Sequence, residues 1–293
     1  MIVVKLLGGI GNQMFEYAFG RYLALKNKTE LKLDLNSLGK SDGGTIRQFE
    51  LSVFNIHAEP ATAAEIKKIK WELPGRRLKI MTRLLKKRGV LPRKNYIHEF
   101  YFRPDELIAM GDNVYLEGFF QNEKYFQPIA DIIRTDFTLR PELNNFNPEL
   151  VEKIKNCNSV SLHVRRGDYA TDAATQKWHG LLPLEYYQKS LKLIEQKVKN
   201  PFFFIFSDDM DWCRANLKIS ADSFFVSGQK NHEDLTLMSL CKHQIVANSS
   251  FSWWGAWLND NPKKIIIAPK QWLADEKGNE QTKNLISPDW IRI

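Results

Sequence analysis

Long hydrophobic runs are missing from this chain of 293 residues. No window reaches the roughly 18 uninterrupted apolar residues of a membrane-crossing helix, and the opening MIVVKLLGGIGNQMF meets glycines too early for a secretory signal. A cytoplasmic protein is therefore expected. Cysteine is scarce as well: Cys157, Cys213 and Cys241 are an odd number at wide spacings, with no CxxC pair and no histidine cluster of ligand type. That argues against a disulfide framework or a structural zinc. Low-complexity tracts are absent, and 43% hydrophobic with 26% charged residues is a globular composition, which excludes disorder and fibrous repeats. The length exceeds one ordinary domain and predicts two.

Positive charge is present, but in one place. Residues 59–94 hold twelve Lys or Arg against Glu59, Glu65 and Glu72, a net +9 beside the +8 of the whole chain. Within the segment, RRLKIMTRLLKKR sets Leu78, Met81 and Leu85 at helical spacing among cations. Two readings stay open: a helix lying on an anionic membrane surface, which would make the protein peripheral on the inner membrane face, or a solvated helix packed on its own domain. Nucleic acid is not the expected partner, because aromatics are not interleaved with the cations as in an RNA-binding module.

Elsewhere strands alternate with helices, the signature of α/β architecture with parallel sheets. IVVKLLGG reads as a buried strand entering a glycine turn, and NQMFEYAFGRYLALKNK as a helix with Met14, Phe15, Ala18, Tyr22 and Leu25 inward. LKLDL and NVYLEGFFQ read as further strands, and RPELNNFNPEL as a linker, placing a boundary near residue 145. The second half runs SVSLHV (strand), LPLEYYQKSLKLIEQKV (helix), FFFIFSDD (strand), Met210 to Leu217 (helix), SFFV (strand), EDLTLMSLCKH (helix), QIVANSS (strand) and KIIIAP (strand).

Ligands of open parallel sheets sit beyond the carboxyl ends of the strands, and four polar clusters fall at such ends: GGIGNQ, HVRRGD, SDD and NSSFSWW. In the first, Gly9 and Gly11 either merely permit a tight turn or bring Asn12 and Gln13 to the hydroxyls of a sugar. The adjacent guanidiniums of Arg165 and Arg166 call for an anion; the bland alternative is a surface ion pair of Asp168 with Arg166, which leaves His163 and Arg165 unexplained. Ser207, Asp208 and Asp209 fit a magnesium site, carboxylates accepting from ribose or guanine, or, for Asp209, a helix N-cap. Asn248, Ser249, Ser250 and Ser252 sit where a turn can cradle phosphate, with Phe251, Trp253 and Trp254 packing beneath. His232 and Asp234 are left open.

Together GGIGNQMFEYA, HVRRGDY, FSDDMDWC and DLTLMSLCKHQIVANSSFSWWGAWLN resemble, in this order, the bacterial alpha-1,2-fucosyltransferases of glycosyltransferase family 11, and LEGFFQNEKYF resembles a further family segment. The basic segment carries no part of the likeness. The resemblance implies a GT-B-like α/β fold, two Rossmann-like parallel-sheet domains facing a central cleft. Residues 1–145 would form the acceptor side, with the basic segment 59–94, and residues 146–293 the domain that binds GDP-fucose. It implies inverting transfer of L-fucose to the 2-hydroxyl of a terminal galactose in an oligosaccharide or lipid-linked surface glycan, with no metal and no other cofactor.

Carried onto this sequence, the resemblance makes Arg165 the catalytic arginine that binds the β-phosphate and stabilises the charge developing on departing GDP. Arg166 would hold the loop or the second phosphate face. His163, Asp208 and Asp209 would help hold guanosine, Ser249, Ser250 and Ser252 would close around the pyrophosphate, and Ser207 and Asn248 belong to the same donor-binding set. Gly9, Gly11, Asn12 and Gln13 would face fucose or acceptor. A base for the acceptor hydroxyl is sought first in Asp168, then in Glu16, which stands where the family commonly has glutamine, and in Glu117; an oxocarbenium-like transition state can also dispense with a strong base. The rival readings are a transferase of another GDP-sugar or linkage and a non-catalytic sugar-nucleotide binder. No oligomeric state is legible.

Overall fold

The structure is a computed structural model and describes residues 1–40, 46–70, 95–143, 146–282 and 284–293. The chain forms two compact units, Met1–Arg140 and Pro141–Ile293.

The first unit is built on strands β1 (Ile2–Lys5), β2 (Leu31–Asp34), β3 (Glu59–Pro60), β4 (Tyr96–His98) and β5 (Val114–Glu117). They form one sheet in the order β3-β2-β1-β5-β4, every neighbouring pair parallel. Ile2, Val3 and Val4 are all fully buried, as a central parallel strand covered on both faces requires. The chain steps outwards from β1 to β3, then returns to the other side of β1, so the strand order reverses between β1 and β5.

The helix Ile10–Lys26 differs from the amphipathic element expected. Nearly every residue from Ile10 to Ala24 is buried, because its second face is covered by aromatic rings: Phe15 meets Phe126, Tyr17 meets Phe137, and Phe19 meets Phe120 and Tyr125. Only the last turn emerges, so Leu25 is exposed and Tyr22 half-buried rather than inward.

The described part of the basic segment includes the helix Ala63–Lys70, which inserts Ile69 against Val3 and Tyr115. Lys70 Nζ lies 3.8 Å above the Tyr115 ring, so this cation packs on the domain's own sheet. RRLKIMTRLLKKR lies outside the described residues. Among them, no helix is long and apolar enough to cross a membrane.

The second unit carries β6 (Asn158–Val164), β7 (Pro201–Ser207), β8 (Ser223–Phe225), β9 (His243–Ile245), β10 (Ile266–Ala268) and β11 (Ile291–Arg292), ordered β11-β10-β9-β6-β7-β8 and parallel throughout. This is the doubly wound dinucleotide-fold order, with its switch between β6 and β9. Two strand ends differ from the sequence reading. QIVANSS is strand only to Ile245, since Ser249 is the N-cap of the helix Ser250–Leu258. The preceding helix, Asn231–Leu240, stops before His243, which opens β9 and accepts the Ile265 N–H on Nδ1.

The linker is shorter than expected as well. Pro148 occupies the first turn of the helix Pro148–Asn156, and the Asn147 side chain caps it by accepting the Glu149 N–H, an arrangement in which proline costs no hydrogen bond. Trp253 and Trp254 are core: both are fully buried, their rings 5.1 Å apart and nearly perpendicular.

Candidate functional site

The carboxyl ends of β6 and β7 bring HVRRGD and SDD together. Strand pairing sets His163 beside Phe206 and Val164 beside Ser207, so the next residues of both strands turn out over the same edge. Arg165 is held between two carboxylates, Nη2 at 2.5 Å from Asp168 and Nη1 at 2.7 Å from Asp208. Asp208 also accepts the Arg166 backbone N–H at 2.8 Å. Arg166 turns the other way: Nε bonds Asp209 at 3.1 Å and the guanidinium lies 4.1 Å from the Trp212 ring centroid. The pairing of Asp168 with Arg166 considered from sequence is thus replaced by Asp168 with Arg165.

Local backbone explains the fit. A Cβ at Gly167 would stand 2.5 Å from Asp208 Oδ2, so glycine is required for that carboxylate to come under the arginine. Asp209 caps the helix Met210–Asn216 by accepting the Trp212 N–H, and its own N–H donates to Ser207 Oγ. Asp209 therefore combines capping with the Arg166 bond. Both aspartates of SDD are committed to arginines, which is poor preparation for a divalent cation. No cluster of three or more metal-ligating side chains occurs among the described residues.

His163 is buried at the end of β6, and its pKa is pushed down to about 4 by burial first, with Arg165 adding to the effect and Asp208 opposing it. The ring is a neutral imidazole at pH 7. Its Nδ1 has no hydrogen-bond partner among the described residues, and the ring sits 5.5 Å from that of Phe251.

Across the switch, Ser249 opens the helix Ser250–Leu258 without a side-chain cap, leaving the first turn as a dipole end of the kind that favours anions. Ser252 is buried, accepting the Ala247 N–H at 3.2 Å, so its hydroxyl holds this turn in place. Asn248 donates its amide to the carbonyls of His179, Gly180 and Trp272, while its Oδ1 lacks a partner among the described residues. Arg165, Arg166, His163, Ser207, Asp208 and Asp209 thus gather over β6 and β7, and Asn248, Ser249, Ser250 and Ser252 follow the neighbouring strand β9.

In the first unit, Gly9, Gly11, Asn12 and Gln13 follow β1. Asn12 accepts from Gln121 Nε2 at 2.8 Å, joining the turns after β1 and β5. Gln13 does not serve as expected. It is fully buried, its amide donates to the Gly8 and Gln48 carbonyls, and its oxygen accepts the Glu50 N–H. It shapes the turn and has no donor left for a sugar.

Residues 92–293 match the description Glycosyl transferase family 11. The chain belongs to that family. The family 11 chain is 35% identical to an Alpha-1,2-colitosyltransferase of Escherichia coli, over 100% of this chain and 99% of the relative. It is 28% identical to Galactoside alpha-(1,2)-fucosyltransferase 1 of Aotus azarae, over 53% of this chain and 45% of that one. Its GT-B-like pair of α/β units is similar to the solved structure of a mutant of Arabidopsis thaliana FUT1 in complex with GDP, with a TM-score of 0.51 at 13% identity, covering 90% of this chain and 69% of that one.

The three base candidates of this family 11 glycosyltransferase fare differently. Asp168 is bound to Arg165. Glu16 is fully buried beneath the turn, accepting the Leu7 N–H, and burial pushes its pKa well above the ordinary carboxylate value. Burial alone would raise Glu117, but bonds from Lys5 and Tyr96 bring its pKa below the usual value.

Two further buried acids have raised pKa values, Glu99, which the sequence did not single out, and Asp234, which it left open. Glu99 has its pKa raised by burial; it follows β4, a three-residue strand too short for a periodic signal. Asp234, in the first turn of the helix Asn231–Leu240, is pushed up to about 7 by burial and then by Glu233, and its Oδ1 has no partner among the described residues. Its place close to a histidine was the available signal.

Proposed function

We propose that this family 11 glycosyltransferase transfers L-fucose from GDP-fucose, with inversion, to the 2-hydroxyl of a terminal galactose in a glycan, without a metal ion. The observation that carries the reading is Arg165, a two-sided guanidinium at the switch edge of a doubly wound sheet whose neighbouring strand leads into the uncapped helix start at Ser249. Breaking the glycosidic bond leaves negative charge on the β-phosphate, and a fixed guanidinium there takes the part a metal would play. The alpha-1,2 linkage is carried by the names of both relatives.

In this mechanism the pyrophosphate displaces Asp168 and Asp208 as partners of Arg165, and the Ser250–Leu258 helix start adds backbone donors. His163, neutral and with Nδ1 unpartnered among the described residues, offers the nucleoside a hydrogen bond in either direction, depending on tautomer. The acceptor oxygen forms its bond to the anomeric carbon as the bond to phosphate oxygen breaks, and its proton passes to a base or to water.

A second reading is favoured by the colitosyltransferase relative. Colitose is L-fucose without its 3-hydroxyl, so a GDP-colitose donor would fit the same phosphate machinery. Sites built to hydrogen-bond a hydroxyl reject an analogue lacking it by large factors, whereas a pocket without those partners discriminates weakly. Calorimetric titration of GDP-fucose, GDP-colitose and GDP-mannose in EDTA, with the wild type and Arg165→Ala, tests both. Tightest binding of GDP-fucose, lost in the variant, followed by an alpha-1,2-linked product, is the expected result. Preference for GDP-colitose moves the assignment to the second reading, and binding that needs magnesium overturns the metal-free mechanism.

A further inference from the structure

Large aromatic side chains are exposed together at one edge of the first unit. Phe100 is 69% exposed, Tyr101 60% and Phe119 45%. Single exposed apolar residues are ordinary, but a cluster on adjoining loops calls for an occupant. Phe100 and Tyr101 follow β4, their rings 5.5 Å apart and edge to face, and the His98 ring is also 5.5 Å from Tyr101. Phe119 follows β5, the neighbouring parallel strand.

One carboxylate joins the two loops. Glu99 Oε2 accepts both the Phe119 and Phe120 N–H groups at 2.8 Å. The clasp requires unusual backbone: Gly118 has φ +156, and a Cβ there would meet Glu99 Cβ at 2.4 Å. Phe120 has φ +48 while fully buried against Phe19 and Tyr125. A bulky residue in the left-handed region is strained and persists where the surroundings enforce it, often at ligand sites. Here the conformation buries Phe120 and turns Phe119 outwards.

The location is where an open parallel sheet binds ligands. β5 adjoins β1 at the point where strand order reverses, and Gln121 bonds Asn12 across that reversal. We propose that Phe100, Tyr101 and Phe119, arranged around Glu99, form the acceptor-sugar subsite, taking the terminal pyranose of a β-galactoside. This rests on the glycosyl-transfer reading above. A pyranose offers one face of C–H groups, which pack on the electron-rich faces of aromatic rings, and a rim of hydroxyls. The two amides occupy Glu99 Oε2, and Oε1 receives such a hydroxyl. A carboxyl group at the centre suits a neutral sugar and disfavours a pyrophosphate, which separates this subsite from the donor's.

The test uses the full chain. Saturation-transfer NMR with methyl β-D-galactopyranoside and with lactose reads sugar binding without a donor, and steady-state kinetics with lactose and GDP-fucose read its consequence. Phe100→Ala, Phe119→Ala and Glu99→Gln are compared with the wild type; Gln retains an acceptor for the two amides. Phe100→Ala is expected to raise the acceptor KM about tenfold, the scale of one aromatic contact, with donor KM and acceptor-free donor hydrolysis within about twofold of wild type. No galactoside contact in the wild type, or an acceptor KM unchanged in all three variants, overturns the subsite. Loss of anionic-vesicle binding in the same variants without an acceptor effect overturns it in favour of a membrane contact. Failure of GDP-fucose hydrolysis and transfer in the wild type counts against the proposed donor, while the donor-free NMR still decides the subsite.

Discussion

Arg165 binds two carboxylates at once, and this changes what its removal should do. The motif alone suggests a purely functional arginine whose loss leaves stability nearly unchanged. With both aspartates at most about a quarter exposed, Arg165→Ala strands two like charges and should cost about 1–3 kcal/mol in the apo protein, besides lowering kcat by about 10²–10³. Arg165→Lys restores a charge but not the two-pronged geometry; chemical denaturation should show most stability recovered, and turnover assays little of the activity. Recovery of both would mean that charge alone is needed. Asp234 gives a pH signature. Its folded pKa, about 7, lies above the ordinary value of 3.8, so its contribution to stability is fully present below pH 3.8 and is lost as pH rises through about 7. Asp234→Asn should therefore raise Tm at pH 8 and leave it unchanged at pH 3.5; equal shifts at both pH values would show that burial is not what holds the proton.

At the level of elements, the helix Ile10–Lys26 shows how far sequence periodicity carries. Met14, Phe15 and Ala18 were legible as inward positions, but no pattern distinguishes one buried face from two, and the covering rings of Phe120, Tyr125, Phe126 and Phe137 come from more than 90 positions further along the chain. Glu16 is the residue most affected. Buried, with its pKa pushed up by burial, and with only the Leu7 N–H on Oε2 and Oε1 unpartnered among the described residues, it uses only an acceptor that a glutamine also has. Glu16→Gln should keep the Leu7 bond and raise Tm at pH 8, whereas Glu16→Ala should cost about 2–4 kcal/mol through a cavity and an unsatisfied amide. A Gln variant as unstable as the Ala variant would show that the acid itself is needed. The clusters at the carboxyl ends of β6, β7 and β9 were legible because strands and turns occur locally in sequence; the commitment of Gln13 to Gly8, Gln48 and Glu50, and the clasp of Glu99, were not, because each partner is chosen by the tertiary fold.

For the whole molecule, the two units can be tested for a division of labour by hydrogen exchange on the intact chain. GDP in EDTA, at about a hundred times its Kd, should slow exchange in 158–168 and 248–258 with a local gain up to about 2.7 kcal/mol, leaving 95–126 unchanged; a galactoside alone should do the reverse. Equal protection of both regions by GDP would refute a donor site confined to the second unit. The Glu99 clasp also bears on how such enzymes diversify. Because one side chain fixes the loops after β4 and β5, neither loop can be exchanged alone without losing its template. Under the proposed acceptor subsite, glycan preference is therefore expected to pass between relatives as one cassette, about residues 95 to 126, inherited or recombined as a block while the second unit stays as it is.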